Sequence, residues 1–324
     1  MKKHRAKPFV KWAGGKGQLL EQLQRLLPAD FASRRNVTYV EPFVGGGAMF
    51  FFMLQQYPNI RRAVINDINE DLTKCYKIIR DNPLELIGEL GDIQTEFYAL
   101  KNESEQKDYF LKCRDEFNEK KLDELKNTVL FVFLNRTCFN GLYRVNKRGL
   151  FNVPFGKYKF PTICDPETIL ADSRLLQNTE ILTGDFKATG SYIDKDSFFY
   201  FDPPYRPLNS TSNFNSYSKE DFDDNSQISL KFFCDKLDHN GANFMLSNSD
   251  CSGNGSCDSF FDNLYEKYNI NRVWATRNVN ADASKRGKLT EILVCNYTHD
   301  KGENLILPLS KVKPIKIIND GYAI

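Results

Sequence analysis

The sequence predicts an α/β fold, a sheet domain interrupted by a mostly helical insertion of about ninety residues. Three observations predict it. A strand, a glycine turn, a helix and a second strand ending in Asn66-Asp67 form a β-α-β unit near the start. From about residue 69 to residue 135 the apolar spacing is helical only. After residue 165 short apolar runs and helical stretches alternate again.

Each element follows from its local pattern. Leucines at helical spacing mark a helix over 16–27, and a strand over 38–41 follows. Residues 48–55, rich in Phe and Met, read as a helix, and 63–65 as the next strand. The insertion carries helices over 72–79, 83–90 with proline at the first position, 109–117 and 125–134. Residues 136–164 are irregular and glycine-punctuated, and Asp165-Pro166 is an N-cap followed by proline, so a helix starts there. Strands over 180–182, 198–201, 243–246, 272–275 and 292–295 then alternate with helices near 228–237 and 260–268.

Composition excludes much. The 324 residues are 41% hydrophobic and 27% charged, which is ordinary for a globular chain and rules out collagen-like or wholly disordered readings. The longest apolar stretch, 128–134, is too short to span a bilayer, and the N-terminus has no apolar core of a secretory signal. A cytoplasmic protein without a membrane partner is expected. Forty-four basic against forty-two acidic residues give +2, which names no partner by itself. The eight cysteines include no CxxC pair, and the three histidines are scattered, so neither a disulfide framework nor a metal site is expected.

Four constellations carry chemistry. The first is Glu41-Pro42-Phe43-Val44-Gly45-Gly46-Gly47, with Asp67 closing the next strand. Glycines between strand and helix let the backbone approach a ligand, and a carboxylate at that distance suits ribose hydroxyls. No GK[ST] follows, which disfavours phosphoryl transfer. The second is Asp202-Pro203-Pro204-Tyr205 after the run Ser197 to Phe201. The run reads as a buried strand, and two prolines stop it and stiffen its exit. A fixed carboxylate and a backbone carbonyl are both acceptors, and they suit a planar amino group with two hydrogens. Holding those hydrogens favours a pyramidal nitrogen with an available lone pair, and Tyr205 offers a face for a base to stack on. The third is Lys11-Trp12-Ala13-Gly14-Gly15-Lys16, which opens a helix and suits an anionic or amphipathic ligand.

The fourth is the stretch 131–161. It holds Arg136, Arg144, Lys147, Arg148, Lys157 and Lys159 with no Asp or Glu, and interleaves Phe139, Tyr143, Phe151, Phe155 and Tyr158. Basic groups meet phosphates, Arg can read guanine, and an apolar side chain can wedge into a base step. Asn-Gly and Arg-Gly turns make it an exposed loop.

In this order the four features resemble the Dam-type DNA adenine-N6 methyltransferases, the α-group of amino-methyltransferases (class D12), over nearly the whole chain to about residue 297. The resemblance includes the target-recognition stretch 134–161 and the loop 206–218 after Asp202-Pro-Pro-Tyr205. It implies a Rossmann-like class I S-adenosylmethionine-dependent methyltransferase sheet with an inserted, mostly helical DNA-recognition domain. It divides the chain into a catalytic domain over 1–70 and 165–300, an insertion over 71–164, and an extension over 301–324 without an assigned role. S-adenosylmethionine would be the methyl donor, with no metal. Trp12, Lys16, Glu41, Phe43, Gly45, Gly47 and Asp67 would line its site, Asp185 and Phe186 its adenine, and Asp202 would adjoin it. Asp202 and Pro203 would hold the target amino group, with Pro204 stiffening the turn and Tyr205 stacking on the flipped base. Lys11, Phe139, Leu142, Arg144 and Pro154 match positions that touch DNA in GATC-methylating members, and Arg136, Asn140 and Asn146 join them from the same segment. Phe139 stands where some members have Tyr, so the wedge is kept and a hydroxyl contact is lost.

The expected reaction is methyl transfer to N6 of adenine in duplex DNA by base flipping and in-line displacement, within GATC or a longer site such as GATATC. A nucleoid-associated enzyme is implied, alone or beside a cognate restriction endonuclease. Two rivals stand against it: methylation of an amino group on RNA or protein, where Asn often replaces the Asp, and a non-catalytic DNA-binding module.

Overall fold

The computed structural model describes residues 5–206, 222–252, 258–276 and 288–299. Seven strands form one sheet: β1 (Val37–Glu41), β2 (Ile60–Asp67), β3 (Thr179–Thr183), β4 (Ser197–Phe201), β5 (Asn243–Ser249), β6 (Asn269–Thr276) and β7 (Lys288–Cys295), in the order β3-β2-β1-β4-β5-β7-β6. The first five are mutually parallel, and β7 runs antiparallel between β5 and β6. The chain proceeds outward from β1 through β2 and β3, then returns to place β4 on the other side of β1. That reversal opens a crevice at the carboxyl edge between β1 and β4, where ligands bind in open α/β sheets.

The period-2 rule explains the core. Phe198 and Tyr200 of β4 point to one face with Tyr39 and Ile65, and Phe199 and Phe201 point to the other with Val40 and Val64. Every residue of β4 is buried, as a central parallel strand requires. On the second face α8 (Asp224–His239) brings Phe233 edge-on to Phe199 and Phe201. On the first face lie α1 (Leu20–Arg25), α2 (Ala48–Gln56) and the helices between β2 and β3.

Those helices are α3 (Glu70–Asp81), α4 (Pro83–Ala99), α5 (Glu103–Asn118), α6 (Glu124–Thr137) and α7 (Pro166–Leu176). Four of their starts are set by side-chain caps, Asn69, Asn102, Asp123 and Asp165 each accepting from a backbone N–H three residues on, and α4 opens on Pro83 at its first position. Helix α6 is buried on nearly every side from Asn127 to Thr137, the pattern of a central helix. Its apolar residues join the sheet's first-face core, so insertion and sheet share one continuous packing surface.

Some boundaries differ from the sequence reading. The helix expected over 16–27 is a 3₁₀ turn (Lys16–Gln18) followed by the six-residue α1, because glycines at 15 and 17 disfavour its start and Pro28 ends it. Helix α9 (Phe260–Leu264) stops short of 268, where Tyr268 instead packs edge-on against Phe244 and donates to Asp235 at 2.7 Å. Helix α4 runs on to Ala99, past the expected end at 90. The loop over 207–218 and the segment 301–324 lie outside the described residues.

Where α7 meets the N-terminal segment, Asp172 is fully buried. Its Oδ1 accepts from the Lys7 backbone N–H at 3.0 Å, and its Oδ2 meets no donor among the described residues. Burial pushes its carboxyl up to about 8. The folded state therefore holds a proton that the unfolded chain releases near pH 4, and stability falls as pH rises from there towards about 8. Asp172→Asn keeps the acceptor and removes the titration. Denaturant melts should show a variant that gains on wild type by a few kcal/mol as pH approaches 8, at about 1.4 kcal/mol per unit of displacement. Parallel stability profiles for the two proteins would refute this.

Candidate active site

The crevice is built first by the turn after β1. Val44 N–H donates to Asn66 O at 3.0 Å and Gly47 N–H to Val44 O at 2.8 Å, closing the turn onto the end of β2. Gly45 and Gly47 have φ of +48° and +75°, open to glycine and strained for other residues. The approach is also close: a Cβ on Gly45 would lie 2.8 Å from the Trp12 ring, and one on Gly47 2.5 Å from the Tyr76 hydroxyl. Asp67 locks this turn by accepting from Gly45 N–H at 3.0 Å and Asn69 N–H at 2.9 Å. Burial raises its pKa and these amides oppose the shift. Glu41 is buried beneath, bonded by the Tyr39 hydroxyl at 2.6 Å, and burial raises its carboxyl well above the usual range.

Aromatic side chains wall the crevice. Trp12 stacks on Tyr143 at 5.7 Å, so the N-terminal motif, the glycine turn and the basic segment touch through one ring. Phe43 packs on Phe186 at 5.6 Å, and Asp185 caps the 3₁₀ turn Phe186–Tyr192 by accepting from Lys187 N–H. Beside Asp67, Ile68 leaves 55% of its surface exposed, an apolar patch at the mouth.

Asp202 stands at the end of β4 on the other side of the crevice. The buried Lys16 ammonium lies 2.8 Å from its Oδ1 and also donates to Gly14 O at 3.0 Å. Burial raises the Asp202 pKa, and the Lys16 charge pulls it back. The same ammonium sits 4.6 Å over the Tyr205 ring. A buried amide chain fixes the prolines: Gln227 donates to Pro204 O at 3.1 Å, and Asn248 donates to Gln227 Oε1 at 3.1 Å. Arg206 then leaves the turn tied to Asp224 and Asp258.

The basic segment forms an irregular hairpin, bridged at Cys138–Phe155 and Val145–Phe151. Its outer side displays Phe139, Asn140, Arg144 and Pro154, all exposed, with Phe139 at 51%. Phe139 N–H donates to Pro154 O at 2.8 Å, which puts these two side by side. The buried Asn135 amide bonds both ways to the Lys11 backbone and donates to Gly141 O, and the Lys11 ammonium lies over the Tyr158 ring at 4.8 Å. Arg144 is braced by Asn152 at 2.8 Å, and Leu142 is half-buried below. Asn146 accepts from Arg148 and Leu150 N–H, shaping the hairpin tip.

Arg136 departs from its expected place among these. It is the last-turn residue of the buried helix α6, and its Nη2 donates inward to Phe9 O at 2.6 Å. That bond ties the helix end to the N-terminal segment, and Arg136 is half-buried rather than displayed with Phe139 and Arg144. Sequence reading also missed Gln227, Asn248 and Glu291. The one signal for Glu291 was a charged residue directly before the apolar run 292–295 of β7.

A mixed sheet whose parallel strands carry a locked glycine turn facing an acidic proline-stiffened corner has the layout of a ligand-binding α/β protein, with an exposed basic hairpin beside the crevice. The family model of D12 class N6 adenine-specific DNA methyltransferases matches residues 12–279. The chain is 49% identical over 294 residues to the Type II methyltransferase M.MjaIII of Methanocaldococcus jannaschii, covering 90% of this chain and 99% of that one. It is 40% identical to the Type II methyltransferase M1.LlaDCHI of Lactococcus lactis subsp. cremoris, covering 90% and 95%. To the DNA adenine methylase of Vibrio cholerae it is 33% identical, covering 92% and 98%. The chain belongs to the D12 class of N6 adenine-specific DNA methyltransferases. The Rossmann-like α/β class expected from the sequence is the one observed.

Proposed function

We propose that this enzyme methylates adenine N6 within GATC in duplex DNA, with Asp202 and Pro203 holding the target amino group. The observation that carries the reading is the placing of the Asp202 carboxylate at the β4 edge, across the crevice from the turn of Gly45 to Gly47. The residues present fit S-adenosylmethionine. Asp67 has the acceptors for a ribose diol, Ile68 and the Phe43–Phe186 pair offer apolar surface for an adenine, and Trp12 and Lys16 close the far side. When bound, the donor supplies a sulfonium methyl for in-line displacement.

The protein's own part is placement. The Asp202 carboxylate and Pro203 carbonyl accept from the two amino hydrogens and turn the nitrogen lone pair towards the methyl. Tyr205 stacks on the flipped base. Burial keeps the acceptors free of competing water. Lys11, Phe139, Asn140, Leu142, Arg144 and Pro154 face the DNA, Phe139 filling the space the base leaves, and Asn146 sets the hairpin tip. No step calls for a metal. Residues 71–164 act as the recognition insertion in a catalytic unit of 1–70 and 165–300. The enzyme works on cytoplasmic DNA, and the Type II names of two relatives favour a partner restriction endonuclease.

Tritiated-methyl incorporation into duplexes with GATC, with each single-base change, and with GATATC tests the site. Incorporation should require GATC, and strong labelling of duplexes lacking it, or of RNA or protein, would reject this reading. In the same assay Arg144→Ala should relax discrimination at a guanine by roughly 1–3 kcal/mol, the worth of one bidentate pair. Unchanged discrimination would remove Arg144 from base readout.

A further inference from the structure

Glu291 of strand β7 brings a charged side chain to the crevice. Glu291 lies opposite Ser249 on β5 and Val273 on β6, and its neighbours Ile292 and Leu293 are buried. Its side chain is only 18% exposed. The Tyr205 hydroxyl donates to its Oε2 at 2.7 Å, and the Lys16 ammonium lies 4.0 Å from the same oxygen. A mostly buried carboxylate is costly to keep unless it is bonded, and the groups bonded to it are those that flank Asp202.

The geometry has a consequence for Tyr205. A stacking ring needs only its faces, and a phenylalanine would serve. The hydroxyl fixed to a strand adds what stacking alone lacks, a stop against rotation about the ring's side-chain torsions. Asp202, Pro203 and Tyr205 follow one another on a proline-stiffened turn, and Gln227 holds that turn through Pro204. Glu291 ties down its far end from a different strand.

We propose that Glu291 is a positioning residue for methyl transfer, acting through the Tyr205 hydroxyl to hold the ring on which the flipped base stacks. The inference rests on the reading of Tyr205 given above. It predicts a rate effect at the chemical step with little effect on the affinity for DNA, because a misaligned nitrogen attacks poorly while the rest of the interface is unchanged.

The test is a double-variant cycle on the full chain, read as single-turnover methyl incorporation into a GATC duplex. Glu291→Ala and Tyr205→Phe should each slow transfer about tenfold, with KM for the duplex within about twofold of wild type. The double variant should be no slower than the slower single one. Glu291→Gln, whose amide oxygen still accepts the phenolic proton, should stay within about threefold of wild type. A wild-type rate for Glu291→Ala, multiplying effects in the double variant, or Glu291→Gln as slow as Glu291→Ala would each overturn the proposal. Should Glu291→Ala fail to fold, Tyr205→Phe decides, and a wild-type rate there overturns it. The wild-type enzyme's own activity on the duplex, measured alongside, separates failure of this inference from failure of the underlying reading.

Discussion

Asp202→Ala is expected to lose methyl transfer by about a thousandfold or more, the scale for removing a preorganised group that acts on the reacting atom. Donor binding should stay within about threefold of wild type, since Asp67 and the glycine turn hold their geometry without Asp202. Lys16 loses its partner at 2.8 Å but keeps Gly14 O at 3.0 Å and Glu291 at 4.0 Å, so the fold should survive. The measurements are single-turnover incorporation of tritiated methyl and calorimetric titration with S-adenosylmethionine.

The same carboxylate should set the acid limb of the rate profile. Burial raises its pKa above 3.8, with Lys16 opposing, and only the ionised form accepts two hydrogen bonds freely. Activity should therefore fall as pH drops through that raised value and level off above it. Asp202→Asn retains the shape and one acceptor, and its small residual rate should lack this limb. An acid limb unchanged in Asp202→Asn would assign the titration to another group.

Gly47→Ala should damage the turn after β1 severely. Its φ of +75° places any side chain in the left-handed region, and the new Cβ would lie 2.5 Å from the Tyr76 hydroxyl and 3.2 Å from the Phe51 ring. Tyr76 cannot retreat freely, because its hydroxyl donates to Gly45 O at 2.9 Å and its ring packs edge-on against Phe9 at 5.0 Å. Relief would move Gly45, and with it the amide that Asp67 accepts. A loss of about 2–3 kcal/mol in stability is expected, from strain and overpacking together. Affinity for S-adenosylmethionine should fall about a hundredfold if the turn carries the donor as proposed. Wild-type donor affinity in a variant with a wild-type melt would show that the turn plays no part in binding.

The parts of the site that could be read in advance are those whose signal is local. Glycines at 45 to 47 announce a turn because few other residues tolerate positive φ. Two prolines after five apolar residues announce a stiffened strand exit. Asp67 could be placed because it closes the strand that follows the same turn. Glu291, Gln227 and Asn248 carried no such mark. They come from β7, α8 and β5, and they reach Tyr205 and Pro204 only because β5 pairs with β4 and β7 with β5. Arg136 failed in the opposite direction. Its charge and its neighbours in the chain suggested an outward cation, and the helix phase of α6 turned it inward to Phe9.

The amino-acid order alone decided where most strands and helices fall, where the backbone must turn after β1, and which acids stand at the ends of β1, β2 and β4. These depend on steric preferences and apolar spacing over a few residues. Tertiary pairing alone decided that β7 runs antiparallel beside β5, that Lys16 meets Asp202, and that Glu291 meets Tyr205, 86 residues away in the chain. Such contacts depend on how buried faces of distant elements fit together, and no short window of sequence contains that information.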